Sequence, residues 1–337
     1  MKIIGTGSAL PKLAVTNDML SEFLDTSHEW IYSRTGIAQR RILSNETLVD
    51  LSVFAAKQAL ENAGLKVEDI DFIICSNVVN PYVTPGLGCV IQGEIGATCP
   101  CVDLNSACSG FIFAMDMADA YLKSGRVKNM LIICADQISK IVNWKARDTS
   151  ILFGDGAGAI VVTHGENLKS IHLSTTSAIA PLHCQKDFGI SPYSAPETYK
   201  DKVVEGLVMN GKDVYKMAVN AAIQDINTVM TEANVTQKEI SFYLLHQANV
   251  RILDTIREYL GETEDKFPKN IHKYGNTSSA SIPILLDEMN REGQLKNGDL
   301  LVMSAFGAGF SSGACVVEWR MENGEWRMEN GKLKIEN

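Results

Sequence analysis

Apolar residues in the first half of the chain follow two spacings. Over residues 47–63 they recur every three or four positions and stop at Gly64, which predicts an amphipathic helix ended by a glycine. Residues 108–123 are apolar on nearly every side, so we predict a helix buried all round. We also predict strands at 70–75 and 102–105, and two further strands, at 130–135 and 157–163, whose apolar runs indicate burial on both faces. The pattern is typical of an α/β protein with a central sheet.

The second half of the chain repeats this pattern at a fixed distance. A shift of 170 positions aligns residues 63–72 with 233–242, and residues 131–135 with 301–305. Two segments that agree on one offset indicate an internal duplication, although shared helix–loop–strand patterning could produce a similar offset. We therefore predict two duplicated α/β halves packed about a pseudo-twofold axis.

The predicted halves cover residues 1–168 and 169–320. Beyond them, residues 321–337 form a low-complexity tail that carries most of a seven-residue repeat, Trp-Arg-Met-Glu-Asn-Gly-Glu, which begins at Trp319. Two copies without an apolar seam are too few for a coiled coil, which needs about three or four heptads. We interpret the tail as a mobile appendage with no catalytic role.

Composition excludes several classes of protein. The 337 residues are 45% hydrophobic and 21% charged, values typical of a folded chain. The net charge of -9 argues against nucleic acid as the main partner, and no apolar run approaches the roughly 18 to 20 residues that span a bilayer. The eight cysteines contain no C-x-x-C pair, which favours free thiols in a reducing compartment. We expect a cytoplasmic protein without a membrane anchor.

Two kinds of motif are considered and rejected. Residues 154–159 fit G-x-G-x-x-G/A, but an apolar strand-like run follows where a dinucleotide site requires a helix. The six histidines show no H-x-x-x-H or H-E-x-x-H spacing, and Cys99-Pro100-Cys101 lacks a second ligand pair. We therefore expect no metal and no cofactor.

Cys108 is the strongest candidate for chemistry. It stands at the start of the predicted buried helix, where unpaired N–H groups and the helix dipole would stabilise a thiolate and lower its pKa. Small neighbours, Ala107, Ser109 and Gly110 among them, leave room for a substrate. Position alone leaves open an inert buried cysteine.

Two further residues favour a catalytic role for Cys108 over an inert one. His246 follows an apolar strand-like run, and Asn276 precedes a predicted helix. The 170-residue shift places Ser106 on Asn276 and Cys108 on Ser278. Equivalent edges of the two halves would then deliver the thiol, the imidazole and the carboxamide to one site. A structural role for His246 is the alternative.

At these residues the chain resembles the thiolase-superfamily condensing enzymes, specifically the β-ketoacyl-acyl carrier protein synthase III family. The resemblance covers about residues 1–319, and an Asn in third place separates the chain from elongating synthases and thiolases. It implies a thiolase-like fold whose two duplicated halves form a five-layered αβαβα core. The motifs that carry it lie at 26–31 with 34–37, 105–110, 153–158, 246–249, 274–278 and 306–310.

The resemblance implies a two-step condensation without a cofactor. Cys108 would take an acyl group from an acyl-CoA primer, with the backbone N–H groups of Cys108 and Ala308 as oxyanion hole. His246 and Asn276 would stabilise the enolate formed when malonyl-acyl carrier protein loses CO2. The acyl carrier protein and CoA thioesters are the implied partners, in a homodimer.

The resemblance also implies binding residues outside the centre. The CoA-binding residues would be Trp30, Arg34, Arg147 and Asn249. The acyl pocket would be lined by Thr84, Phe153 and Phe306. The carrier protein would dock on Lys216 and Arg251, a basic patch on an acidic chain.

The chain departs from the family at three places. Ala308 replaces the middle glycine of a Gly-rich loop, and Thr84 stands where acetyl-restricted members often carry a large aromatic residue that reaches across the dimer interface. A longer or branched primer is therefore expected. Residues 183–199 have little counterpart in the family.

Other functions stay open at this point. A papain-like cysteine hydrolase also uses Cys, His and Asn, with a gap near the 138 residues between Cys108 and His246, but its sequence context is missing. A related condensing enzyme or acyltransferase of secondary metabolism, or a non-catalytic acyl-binding member, would share much of the same pattern.

Overall fold

The computed structural model describes residues 1–185, 193 and 206–321, and the backbone of Trp326–Glu329 and Lys332–Ile335. Most of the segment 183–199 and parts of the repeat tail, both singled out in the sequence, therefore lie outside the described residues. None of the helices within this described part has the length and hydropathy that crossing a bilayer requires.

Helices and strands alternate along both halves of the chain. The helices are α1 (Asn17–Ser21), α2 (His28–Thr35), α3 (Leu48–Ala63), α4 (Leu87–Ile95), α5 (Gly110–Lys123), α6 (Arg147–Ser150), α7 (Gly211–Glu232), α8 (Val250–Leu260), α9 (Ile271–Tyr274) and α10 (Ser281–Arg291). The strands are β1 (Lys2–Ala9), β2 (Leu13–Thr16), β3 (Gln39–Ile42), β4 (Phe72–Ser76), β5 (Cys101–Leu104), β6 (Asn129–Gln137), β7 (Asp155–Thr163), β8 (Leu168–Ala178), β9 (Leu182–Cys184), β10 (Leu207–Met209), β11 (Ile240–Leu245), β12 (Leu300–Gly307), β13 (Gly309–Glu318), β14 (Trp326–Glu329) and β15 (Lys332–Ile335).

Two sheets with matching topology form the centre of the molecule. The first has the order β1-β7-β6-β4-β5 and the second has the order β8-β13-β12-β11. In the first sheet β4 pairs in parallel with both β5 and β6, and the β6–β7 and β7–β1 pairs are antiparallel. In the second sheet β11 pairs in parallel with β12, and the β12–β13 and β13–β8 pairs are antiparallel. Within the described residues the sheets repeat strand for strand, except that β5 has no counterpart in the second sheet. The duplication predicted from the sequence is confirmed, while its boundaries at 168 and 320 stay predictions.

Helices and sheets alternate in five layers, with helices outside each sheet and between the two sheets. Helix α3 packs on the outer face of the first sheet, and α7 with α8 packs on the outer face of the second. Helices α5 and α10 lie between the sheets and contact both. Most residues of both helices are therefore buried, including the polar Asp287 and Asn290 of α10. The largest buried cluster lies in this middle layer. The αβαβα arrangement places the N-terminal ends of α5 and α10 in the same interior region.

Local sequence signals explain the best-defined outer helix. Thr47 caps α3, its hydroxyl accepting from Asp50 N at 3.1 Å while the Asp50 carboxylate accepts from Thr47 N at 2.8 Å. Gly64 ends the helix in the left-handed region at φ 67°. Gly5 lets β1 approach α3 closely, since a Cβ there would lie 2.2 Å from the Ala59 carbonyl oxygen. The sequence predicted this helix within one residue.

The buried helix begins later than predicted. Helix α5 begins at Gly110, with Ser109 as its N-cap, so Cys108 lies in the turn before the helix and not in its first turn. The reason is local, because Ala107 adopts a left-handed conformation at φ 47° that no helix continues.

Candidate active site

Cys108 occupies the tight turn between β5 and α5. The turn is closed by Ser109 N donating to the Ser106 carbonyl at 3.2 Å and by Gly110 N donating to the Ala107 carbonyl at 3.1 Å. Cys108 is half-buried and lines a cavity that opens to the surface. The predicted nucleophile is thus presented on a short turn at the end of a buried helix.

The environment of the Cys108 thiol differs from the expectation of a lowered pKa. Burial raises the pKa of the Cys108 thiol to about 12, and a hydrogen bond from Ser278 offsets only part of that rise. Ser278 Oγ donates to Cys108 Sγ at 3.4 Å. The expectation from the helix dipole is not met, because desolvation outweighs a dipole whose helix begins two residues further on. The resting sulfur therefore carries its proton.

His246 lies directly beyond the end of β11 and is 1% exposed. Its Nδ1 lies 2.7 Å from Ser281 Oγ, and its ring meets Phe306 edge-on with centroids 5.3 Å apart. Burial lowers the pKa of His246 to about 3, so the imidazole is neutral at pH 7. A neutral ring with Nδ1 held by a hydroxyl group can direct an Nε2–H at a developing negative charge.

Asn276 is fixed by main-chain hydrogen bonds on both sides. Its N donates to the Leu152 carbonyl at 2.9 Å, and Gly154 N donates to its carbonyl at 2.9 Å. The side-chain Oδ1 accepts from Ser278 N at 2.9 Å. Within the described residues the amide NH2 has no hydrogen-bond partner, which leaves it as a donor at the cavity.

Two cavities meet at Cys108. The smaller, of about 110 Å³, is lined by Cys108, His246 and Asn276 together. The larger, of about 420 Å³, is also lined by Cys108, together with Phe153 and Ala308. The three predicted residues from distant segments therefore share one cavity, and a second, mostly apolar space adjoins the nucleophile.

The predicted acyl-pocket residues divide between different places. Phe153 lines both cavities, whereas Phe306 lines only the smaller one, beside His246. Thr84 is exposed at the surface and lines neither. Phe306 lies near the end of β12, and its ring packs edge-on against the His246 imidazole.

Main-chain groups from β12 and the following turn contact the nucleophile. Gly307 packs so tightly against the turn that a Cβ would lie 2.6 Å from Cys108 N. Ala308, the next residue, lines the larger cavity together with Cys108. The predicted pair of oxyanion-hole residues is therefore adjacent to the sulfur, with the Ala308 methyl group at the wall of the larger space.

Trp30 lies between two guanidinium groups. The Cζ atoms of Arg34 and Arg147 each lie 4.3 Å from the ring centroid. Arg147 also donates to the Asp25 carbonyl at 2.6 Å. A ring inserted between Trp30 and Arg147 needs about 7 Å, twice a van der Waals contact of about 3.5 Å. The structure brings these residues together but with the slot closed.

The other predicted binding residues lie around the smaller cavity. Asn249 lines it and caps α8, accepting from Arg251 N at 2.9 Å. Arg251 is exposed and donates to the Ser33 carbonyl at 2.9 Å, and Lys216 is exposed on α7. Gly211, at the start of α7, lines the same cavity. Lys216 and Arg251 therefore lie on α7 and α8, whose N-terminal ends line the smaller cavity.

Sequence reasoning missed two residues near the sulfur. Ser278 was noticed only as the position that the 170-residue shift lays on Cys108, yet its hydroxyl contacts the sulfur directly. Asp136, on a strand predicted to end at 135, is fully buried and hydrogen-bonded by Ser279. The duplication offset was the only available signal for Ser278, and Asp136 had none. No group of three or more potential metal-ligating side chains was found among the described residues.

Comparison with solved structures first identifies the class. The fold is that of the thiolase-like condensing enzymes. The crystal structure of 3-oxoacyl-[acyl-carrier-protein] synthase III from Aquifex aeolicus superposes with a TM-score of 0.87 at 39% identity, covering 94% of this chain and 99% of that one. The priming β-ketosynthase of the R1128 polyketide biosynthetic pathway gives a TM-score of 0.87 at 31% identity, covering 95% and 96%.

Sequence comparison then identifies the family. The family models for 3-oxoacyl-[acyl-carrier-protein] synthase III match residues 102–178 and, for its C-terminal region, residues 230–319. The β-ketoacyl-[acyl-carrier-protein] synthase III of Clostridium acetobutylicum is 40% identical over 95% of this chain and 98% of its own length. The chain belongs to the 3-oxoacyl-[acyl-carrier-protein] synthase III family, which confirms the resemblance and excludes a papain-like hydrolase.

Proposed function

We propose that the chain catalyses the decarboxylative condensation of an acyl-CoA primer with malonyl-acyl carrier protein, through an acyl group carried on Cys108. The observation that carries this proposal is the single cavity lined by Cys108, His246 and Asn276. Family membership supplies the reaction class, and the cavity supplies the groups that such a reaction requires.

The first half-reaction takes place where the two cavities meet. The pantetheine arm of CoA enters through the smaller cavity, between the start of α7 and Asn249, and the acyl chain extends into the larger one. The Cys108 sulfur attacks the thioester carbon and CoA leaves. The N–H groups of Cys108 and Ala308 stabilise the oxyanion, and a single such donor contributes about 3 to 4 kcal/mol.

The second half-reaction uses His246 and Asn276. Malonyl thioester enters by the same route, and loss of CO2 leaves negative charge on the thioester oxygen. A neutral imidazole and a carboxamide NH2 are suited to donate hydrogen bonds to that oxygen, because both are uncharged donors and neither has to change its protonation state. Burial keeps His246 in this neutral state by lowering its pKa to about 3. The carbanion then attacks the acyl group on Cys108.

Residues around the smaller cavity and at the surface near it would bind CoA and the carrier protein. Trp30, Arg34 and Arg147 would hold the adenine nucleotide of CoA once Arg147 moves off the indole ring. Exposed Lys216 and Arg251 would pair with acidic carrier protein at the opening. No metal or cofactor enters this scheme.

We extend the proposal to a homodimer in the cytoplasm. Strand β5 is the outer strand of its sheet, and no strand of the described chain pairs with its free edge. Nearby, Val83 is 78% exposed and Tyr82 is 54% exposed, apolar surface that a second copy would cover while bringing Thr84 to its partner's acyl pocket. The free thiols of the described chain suit a reducing compartment.

Separating the half-reactions tests the proposal. Cys108→Ala should abolish acylation by acyl-CoA, whereas Asn276→Ala should still become acylated and lose malonyl decarboxylation by about 10²-fold. Intact-protein mass spectrometry with a panel of acyl-CoAs measures the first step and identifies the primer, and release of labelled CO2 measures the second. Equal loss of both steps in Asn276→Ala would contradict the division of labour. A secondary-metabolism primer would appear as an unusual adduct mass.

A further inference from the structure

The imidazole of His246 contacts a buried serine that has no role in the reaction described so far. His246 Nδ1 lies 2.7 Å from the Oγ atom of Ser281, the first residue of α10, and both side chains are buried. On another side the ring meets Phe306 edge-on, with centroids 5.3 Å apart. Stabilising an enolate requires a proton on the other ring nitrogen, Nε2. The contact with Ser281 determines whether the proton is there.

The contact between the imidazole and the hydroxyl group allows two arrangements, because a neutral imidazole carries one proton. In the first, the Ser281 hydroxyl group donates to His246 Nδ1 and the ring proton is on Nε2. In the second, Nδ1–H donates to Ser281 Oγ and Nε2 keeps a lone pair. The first arrangement gives a hydrogen-bond donor and the second gives a base, so the choice decides what His246 can do chemically.

The main chain of Gln247 fixes the direction of this hydrogen bond. Gln247 N donates to Ser281 Oγ at 3.3 Å, so the hydroxyl oxygen already accepts one hydrogen bond. Within the described residues, His246 Nδ1 is the only acceptor in contact with the hydroxyl group. If Nδ1 carried the proton, the Ser281 O–H would be buried without an acceptor, which is unfavourable. All three groups are satisfied only when the hydroxyl group donates to Nδ1 and the ring proton is on Nε2.

Gln247 is itself held firmly by its side chain. It is buried, its Nε2 donates to the Leu245 carbonyl at 2.8 Å, and its Oε1 accepts from Asn270 N at 3.2 Å. Asn270 directly precedes α9, the short helix that leads to Asn276. Gln247 therefore connects the end of β11, which is followed by His246, to the segment that carries Asn276.

The carboxamide of Asn276 is oriented by a similar constraint. Ser278 N donates to Asn276 Oδ1 at 2.9 Å, which leaves the amide NH2 as the free group. Nε2 of His246 likewise has no hydrogen-bond partner among the described residues. Both side chains line the smaller cavity with Cys108. The free group of each side chain is thus a donor, and neither offers a lone pair to the thiol proton.

We propose that Ser281 is a positioning residue that keeps the proton of His246 on Nε2 and fixes the ring, so that the imidazole acts as a hydrogen-bond donor in decarboxylation and not as the base for Cys108. The inference rests on the proposed function. As CO2 leaves the malonyl thioester, the thioester oxygen gains negative charge and accepts a hydrogen bond from Nε2–H. The Ser281 hydroxyl group still donates to Nδ1, and the ring neither gains nor loses a proton.

The position of the ring proton tests the proposal directly. In the unaltered chain labelled with ¹⁵N-histidine, long-range ¹H–¹⁵N correlation spectra should show the His246 proton on Nε2, and His246→Gln identifies its signals. The spectrum should be the same at pH 5 and pH 8, because burial lowers the pKa of His246 to about 3. In Ser281→Ala the Nδ1 signal should move and a share of the Nδ1–H tautomer should appear. A role in packing alone predicts no such change.

The two half-reactions give the functional measurement. Ser281→Ala should keep the initial burst of CoA release from an acyl-CoA, measured by stopped flow, within threefold of the unaltered chain. Release of labelled CO2 from malonyl-acyl carrier protein should fall by about 10- to 10²-fold, because an imidazole without this hydrogen bond misplaces Nε2 and a misplacement of about 1 Å costs about 10²-fold in rate.

Two variants serve as controls for the loss of a buried hydroxyl group. Ser281→Thr keeps the hydroxyl group, so it should keep the Nε2–H tautomer and release CO2 faster than Ser281→Ala. Ser52→Ala is the matched control, because Ser52 is also buried and its hydroxyl group donates to the Leu48 carbonyl at 2.7 Å, on the outer helix α3. It should change neither the His246 spectrum nor the rate of either half-reaction.

The outcomes separate the possibilities. A proton on His246 Nδ1 in the unaltered chain overturns the proposal, and so does a His246 spectrum that is unchanged in Ser281→Ala. Decarboxylation within threefold of the unaltered chain, or an equal loss of both half-reactions, also overturns it. Should Ser281→Ala fail to fold, Ser281→Cys, whose thiol is a weaker donor, is measured in the same assays with the same changes expected. If the unaltered chain releases neither CoA nor CO2, the proposed function fails instead, and the spectra alone still decide where Ser281 holds the ring proton.

Discussion

The contact between Gly307 and the nucleophile turn gives the sharpest prediction from packing. Gly307 is the last residue of β12 and is buried against residues 107–109. A methyl group added there would lie 2.6 Å from Cys108 N, 3.0 Å from Ala107 Cβ and 3.2 Å from Ser109 N. All three neighbours belong to one rigid turn, so no flexible side chain can move aside. Gly307→Ala should therefore displace the turn or the strand.

The size of the effect follows from these distances. Relieving the closest contact to an ordinary separation of about 3.5 Å requires a shift of nearly 1 Å. Overpacking of this kind costs about 1 to 3 kcal/mol of folding free energy. A misplacement of about 1 Å in a reacting group costs about 10²-fold in rate. The variant should thus remain folded and lose most of its acyl-transfer activity.

Two measurements check this prediction. Urea unfolding gives the free energy of unfolding, and the CoA burst gives the rate of primer loading. Gly93→Ala is the matched control, because Gly93 lies in α4 and an added Cβ meets nothing within 4 Å. It should stabilise the chain by about 0.5 to 1 kcal/mol and leave the burst unchanged. Loading within threefold of normal in Gly307→Ala would refute the claim that this contact sets the position of Cys108.

Two further predictions concern stability and CoA binding. Burial raises the pKa of Asp136 to about 6, so ionising this carboxyl group should lower the free energy of unfolding as pH rises from about 4 through 6. Asp136→Asn has no charge to acquire. Between pH 4 and pH 7 its free energy of unfolding should therefore increase by about 2 to 3 kcal/mol relative to the unaltered chain. Urea unfolding across that range measures the difference, and a constant difference contradicts it. Trp30→Ala should raise KM for acyl-CoA about tenfold, the loss of a stacking contact of roughly 1 to 2 kcal/mol, with KM for acyl-pantetheine unchanged. Parallel changes with both substrates would place Trp30 elsewhere than at the nucleotide.

The sequence predicted the strands and helices that carry the site, because these elements leave periodic apolar patterns and are repeated in the two halves. Buried strands and two-sided helices leave apolar runs that can be read directly, and the 170-residue offset located the second half. The same offset placed Ser106 on Asn276, which is why residues from distant segments could be expected at one site. Cys108, His246 and Asn276 do line one cavity.

What the sequence could not predict depends on desolvation and on exact side-chain directions. A helix dipole suggested a lowered thiol pKa, but the surrounding protein raises the pKa of Cys108 to about 12. The side chain of Phe306 points to His246, although its motif suggested the acyl pocket. Arg147 stacks on Trp30 and so fills the space between them in which the adenine ring was expected. Each of these depends on three-dimensional neighbours that no local pattern encodes.

The duplication accounts for the hydrogen bond at the centre of the site. Residues related by a pseudo-twofold axis meet each other where the axis passes between the halves, and Ser278 is the position equivalent to Cys108 by the 170-residue shift. Each turn contains one left-handed residue, Ala107 at φ 47° before α5 and Ser278 at φ 56° before α10, although the 170-residue shift pairs Ala107 with Thr277. The two turns bring the Ser278 hydroxyl to 3.4 Å from the Cys108 sulfur. One copy of the repeated turn thus carries Cys108, and the other supplies the hydroxyl group that donates a hydrogen bond to its sulfur.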